Sequence, residues 1–213
     1  MTVAASCAKI ICRTGLVITA LMLSACSILP KQETLIVYQL PATPLARQTD
    51  AITPRAPSRS LRVATPYSSQ VIDSQRILVV PQGSQVSAYS GVRWSDPAPI
   101  LVRNRLVSAF RSDGRLTSVS IDSSGANADF ELGGDLVEFQ VVYQDDAPVV
   151  HIHYDASVTR SDGNRTIATR RFEVAEPVQG KEAPEVVEAF GRAADRLAAE
   201  IVTWTLQYTT RTK

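Results

Sequence analysis

The sequence predicts an α+β fold, a largely antiparallel sheet with two amphipathic helices packed on one face. Three observations lead there. Short β-branched runs are punctuated by Gly, Pro, Asn and Asp, and two segments carry apolar residues at three- and four-residue steps. Strands also cluster before and after the first helical segment instead of alternating strictly with helices.

The first run, "TLIVYQL" at 34–40, reads as a strand. Residues 41–60, "PATPLARQTDAITPRAPSRS", hold Pro41, Pro44, Pro54 and Pro57 without apolar periodicity. They are expected to form a Pro-rich flexible loop, with the strand before it docked to the sheet. "LRVATP" is a strand ending at Pro66, and "RILVV" and "SQVSAYS" form a hairpin across Pro81, Gln82 and Gly83.

"WSDPAPILVRNRLVSAFRSDG" reads as a helix with Ser95 or Asp96 as cap, Pro97 near the first turn and Gly114 at the end. Val102, Leu106, Ala109 and Phe110 share one face, whereas Arg103, Asn104, Arg105 and Arg111 fall mostly elsewhere. Tyr89 and Trp94 frame its start and are expected to pack there.

"LTSVSI" is a further strand, and "ADFELGGDLVEFQVVYQ" a longer one in which Gly133 and Gly134 suggest a bulge or sharp bend. Turns at Asp145 and Asp146, and at Asp162 and Gly163, join "VVHIHYDASVTR" and "RTIATRRFEVA" into a meander. Within the former, Ile152, Tyr154, Ala156 and Val158 alternate with His151, His153, Asp155 and Ser157, which predicts one buried and one wet face. The closing segment "APEVVEAFGRAADRLAAEIVTWTLQY" carries a stripe of Val186, Phe190, Ala193, Leu197, Ile201, Trp204 and Tyr208, the strongest helical pattern in the chain.

The N-terminal residues obey different rules. Lys9 and Arg13 are the only charges before "GLVITALML", a run too short to span a bilayer comfortably, and small residues follow it. Leu23, Ser24, Ala25 and Cys26 resemble the bacterial lipobox at every position. That resemblance implies diacylglyceryl transfer to the Cys26 thiol, cleavage after Ala25 and acylation of the new amino terminus. The alternative is an ordinary signal or an uncleaved anchor with a chance cysteine. The resulting division is a lipoprotein signal peptide at 1–25, a lipidated tether at 26–33, one domain at 34–208 and a disordered tail at 209–213. Ser27 lacks the aspartate that retains enteric lipoproteins on the inner membrane, which favours the periplasmic face of the outer membrane.

Function classes narrow from here. The full chain balances 22 basic against 21 acidic residues, and loss of Lys9 and Arg13 barely changes that, so no nucleic-acid footprint is expected. Cys7 and Cys12 lie in the discarded segment and Cys26 is consumed, leaving no thiol for a disulfide, zinc site or nucleophile. His151, His153 and Asp155 share a strand face and could bind zinc, but no other histidine exists to complete a site, so a solvated sheet face is the better reading. Neither a nucleophile elbow nor a phosphate loop is present, and adjacent Asp145 and Asp146 read as a turn. A non-enzyme without metal or cofactor is expected.

The succession of lipobox, "YQL" at Tyr38–Leu40, Pro-rich gap, "LRVATP", "RILVV", "YSGVRWSDPAP", "SDGRLTSV", "ADFELGGDLVEFQ" and a Trp-bearing last helix resembles the auxiliary lipoproteins of ABC transporters. That group contains the paraquat-inducible C protein and cholesterol transport auxiliary components. The resemblance implies a non-catalytic part of an MCE-type system moving phospholipid or other hydrophobic cargo. Its partners would be an MCE-domain protein and an inner-membrane ABC permease and ATPase, its membrane contact the Cys26 lipid, and a homo-oligomer is open. The alternative is an envelope-structural lipoprotein that binds peptidoglycan or activates a cell-wall enzyme.

Overall fold

The computed structural model describes residues 35–43 and 59–209. The expected signal segment, Leu23, Ser24, Ala25, Cys26, the expected tether, most of the expected Pro-rich loop and residues 210–213 lie outside the described residues. In chain order the elements are β1 (Ile36–Tyr38), β2 (Ser60–Val63), β3 (Tyr67–Ser68), β4 (Leu78–Gln82), β5 (Gln85–Ala88), β6 (Val92–Trp94), α1 (Ala98–Asp113) and β7 (Ser118–Ile121). Then follow β8 (Phe130–Gln144), β9 (Ala147–Arg160), β10 (Arg165–Pro177) and α2 (Ala183–Thr209), with short 3-10 turns at Asp122–Ser124 and Asp162–Asn164.

The expected α+β architecture is present. Strands β8, β9 and β10 form the antiparallel meander, because Asp145 and Asp146 both adopt positive φ and close a two-residue hairpin, while Gly163 and Asn164 do so at the next turn. Along its other side, β8 is met in succession by three short strands running parallel to it: β2 opposite Phe130–Leu132, β3 opposite Asp135–Leu136 and β4 opposite Gln140–Val142. Strand β7 adds parallel to β2, and α1 supplies part of the crossover that a parallel arrangement needs.

Strand β1 does not join this sheet. It pairs in parallel with β6, Ile36 opposite Val92 and Tyr38 opposite Trp94, in a two-stranded sheet of its own. Both long sides of β8 are already occupied, by β9 and by the β2, β3 and β4 succession, which leaves no ladder for it there.

Two local expectations also shift. Neither Ser95 nor Asp96 caps α1; Pro97 occupies the cap position, and the Ser95 hydroxyl donates to Asp96 Oδ2 at 3.0 Å. At the other end Gly114 closes the helix in the left-handed conformation. The bulge of β8 falls at Val137, where the register with β9 skips, not at the glycine pair.

The core lies between the inner sheet face and the two helices. Ile152, Tyr154, Ala156 and Val158 are all buried, in the alternation read from the sequence. Helix α2 buries its predicted stripe with the exception of half-buried Tyr208, and also buries Val187, Ala194, Ala198, Val202 and Leu206. The stripe is wide because α2 touches the sheet on one flank and α1 on the other. Trp94 is fully buried, edge-on to Phe190 at 5.3 Å and 6.0 Å from Phe139.

Candidate functional site

The segment that leads from the N-terminal residues into the domain is fixed at three places. The Ile36 N–H donates to Gly91 O at 2.9 Å, and Tyr38 O accepts from the Ser95 N–H at 2.8 Å. Pro41 lies across α2 at Gly191, where an added Cβ would sit 2.9 Å from the proline ring. At Thr43, the N–H donates to Asp195 Oδ2 at 3.0 Å and the carbonyl accepts from Arg105 at 3.4 Å. Arg105 and Asp195 themselves form an ion pair between α1 and α2, with the arginine side chain 5% and the aspartate 16% exposed.

Arg105 is therefore a correction to its expected place off the apolar face. The charge is tolerated inside because Asp195 and the Thr43 carbonyl meet it there.

On the helix-free sheet face, His153 Nε2 lies 3.2 Å from Asp155 Oδ1, and Arg171 donates to the same carboxylate at 2.9 and 3.3 Å. The Arg171 bond chiefly, with His153 adding to it, holds the Asp155 carboxyl below its ordinary value. His151 turns instead to Gln144, 3.1 Å away, with Glu138 3.9 Å off. The structure thus unites His153 and Asp155 but leaves His151 with other partners. Among the described residues, no group of three His, Cys, Asp or Glu side chains could hold a metal ion.

A third locus lies where the sheet ends. The inward rows of β2, β8 and β9 terminate at Arg59, Phe130 and Arg160, the first lying just before its strand. The Cζ atoms of Arg59 and Arg160 stand 5.8 and 5.9 Å from the Phe130 ring centroid. They line a cleft of about 400 Å³ together with Asp129, Ser161 and Asp162. Asp129 Oδ2 accepts from both the N–H and the hydroxyl of Ser60 at 2.8 Å.

These two bonds, aided by Arg59, hold the Asp129 carboxyl below its ordinary value. Because the folded-state value is the lower one, the associated stability is fully present above the unfolded value near ~3.9 and is lost as pH falls through the folded value. Ser60→Ala is expected to move the Asp129 titration upward toward that ordinary value and to reduce the acid sensitivity of unfolding. A carboxyl NMR titration that stays unchanged in the variant would refute this assignment.

The arginine pair escaped the sequence reading. The period-two phase of β9, carried past Val158, places Arg160 on the inner row, and that of β2 carried back from Leu61 places Arg59 there. Cys26 and the expected cleavage motif Leu23, Ser24 and Ala25 fall outside the described residues. No helix among those described is long and apolar enough to cross a membrane.

Comparison with known proteins gives consistent matches. The family model of the ABC-type transport auxiliary lipoprotein component matches residues 38–202. An uncharacterized protein of Bradyrhizobium diazoefficiens is 28% identical over 149 residues; these make up 70% of this chain and 40% of that relative, so the chain spans well under half its length. Among solved structures, protein XCC0632 from Xanthomonas campestris has a TM-score of 0.70 at 28% identity, covering 80% of this chain and 94% of that one. Protein CT253 from Chlamydia trachomatis has a TM-score of 0.53 at 11% identity, covering 71% and 98%, a likeness of fold alone.

Proposed function

The chain belongs to the family of ABC-type transport auxiliary lipoprotein components, and from that premise we propose that it is the outer-membrane-anchored, non-catalytic auxiliary component of an MCE-type transporter. The family is one of envelope lipoproteins that accompany ABC transporters. The observation that carries the reading is the span of the match, which takes in every described element from Tyr38 through most of α2. In this reading the domain is a periplasmic docking element. ATP hydrolysis belongs to the transporter, and the cargo is phospholipid or another hydrophobic molecule passing between membranes.

The lipid on Cys26 is the anchor in this reading. Each buried CH₂ is worth about 0.8 kcal/mol, one acyl chain binds marginally and two or more hold firmly, so a triacylated cysteine keeps the domain at the bilayer. The strap at residues 35–43 then couples that tether to α1 and α2. Cys26→Ala is expected to abolish palmitate labelling and the mass increment of the N-terminal peptide. Retained labelling would remove the anchor assignment.

The transport reading is tested by purifying the full chain from native envelopes under conditions that preserve a known MCE complex. Recovery of MCE, permease and ATPase subunits is expected. Recovery of cell-wall enzymes in their place would overturn it.

A further inference from the structure

The cleft at the end of the sheet has an unusual charge arrangement. Long arginine stems often cover the rim of a core, and Phe130, 2% exposed, is covered in that way. Such a cover keeps its charged heads in water or paired. Here Arg59 Nε is shielded from solvent and has no hydrogen-bond acceptor. Among the described residues, neither Arg59 nor Arg160 forms an ion pair, whereas Arg62, Arg105, Arg115 and Arg171 all do. A buried guanidinium donor without acceptor is costly, and a ligand oxygen would relieve it.

The neighbouring carboxylates define which anion fits. Asp129 is committed to Ser60 through Oδ2, and exposed Asp162 stands on the cleft wall. Two guanidiniums beside two carboxylates leave no excess positive charge to neutralise a phosphate dianion, but they suit a singly charged phosphodiester with an ammonium attached. Arginine's planar fork also matches phosphate oxygens in a bidentate manner.

We propose that this cleft binds the headgroup of a zwitterionic phospholipid, with the phosphodiester between Arg59 and Arg160 and the ammonium facing Asp162. The identity of the ligand as transported lipid rests on the transport reading above; the binding chemistry does not.

The test uses the full chain in detergent, followed by NMR, with glycerophosphoethanolamine, glycerophosphoglycerol and inorganic phosphate as probes. Glycerophosphoethanolamine is expected to shift the amides of Asp129, Phe130, Arg160 and Ser161. Arg160→Gln should weaken it by about tenfold or more, the loss of a charge-assisted bond, and Asp162→Asn should weaken it while sparing glycerophosphoglycerol. Arg160→Lys keeps the charge and should bind several-fold more weakly, which preserves the test if the glutamine variant fails to fold.

Absence of shifts with glycerophosphoethanolamine, equal binding of inorganic phosphate, or indifference to both Arg160 variants would each overturn the proposal. Short-chain phosphatidylethanolamine, added below its micellar concentration, separates lipid from soluble metabolite: it should bind at least as well as the free headgroup, and its exclusion would overturn the lipid assignment. Headgroup binding without recovery of transporter subunits would fail the transport reading alone; recovery without binding would fail this proposal alone.

Discussion

Gly134→Ala is expected to lower the unfolding free energy by about 3 kcal/mol or more, or to prevent accumulation of folded protein altogether. Two costs coincide at this position. Its φ of 141° lies in a region that side chains rarely adopt, and a Cβ would fall 2.0 Å from the Asp155 carbonyl oxygen and 3.0 Å from Ala156 Cα. Both neighbours are backbone of β9, so neither can swing away without breaking the ladder on which β8 and β10 depend. Gly133→Ala is the control, since its Cβ would meet nothing nearer than 3.8 Å. Chemical denaturation of the two variants should separate them clearly; equal midpoints would show that the close approach is not maintained in solution.

The second large effect is expected from the buried pair between the helices. Asp195→Ala strands the Arg105 guanidinium at 5% side-chain exposure and deprives the Thr43 N–H of its acceptor. Removing one member of a buried ion pair typically costs about 3–5 kcal/mol. Arg105→Met paired with Asp195→Leu replaces the charges by apolar groups of similar size and should recover much of that loss, because the penalty comes mainly from the uncompensated charge. Hydrogen exchange provides a second readout. The amides of Leu40, Ala42 and Thr43 are expected to exchange faster in Asp195→Ala, since the strap loses its end clamp at Thr43. An additive double variant, or unchanged exchange at Thr43, would dissociate the ion pair from the strap.

Much of the architecture was legible because it is written in local periods. The stripe from Val186 to Trp204 can only be a helix that buries one flank, and the alternation from Ile152 to Val158 can only be a strand with one wet side. The two-residue turn at Asp145 and Asp146 followed from residues that tolerate positive φ. What failed locally failed for a nonlocal reason. Gly133 and Gly134 looked like a bulge, yet the demand on Gly134 comes from a carbonyl on the neighbouring strand. Ser95 and Asp96 looked like caps, yet the Ser95 backbone is bonded to Tyr38 and Gln75, and its hydroxyl donates to Asp96.

The candidate sites divide along the same line. The processing motif expected at Leu23–Cys26 would be read by an enzyme as a linear string, so the sequence alone states the expected lipid attachment and, with the ordered motifs behind it, the family. The burial of Arg105 against Asp195, the choice of β6 as the partner of β1, and the meeting of Arg59, Phe130 and Arg160 at one sheet end belong to the tertiary structure. Each joins residues far apart in the chain, and a charge, an edge strand or a guanidinium is assigned its partner only when folding brings the complementary group within a few ångströms.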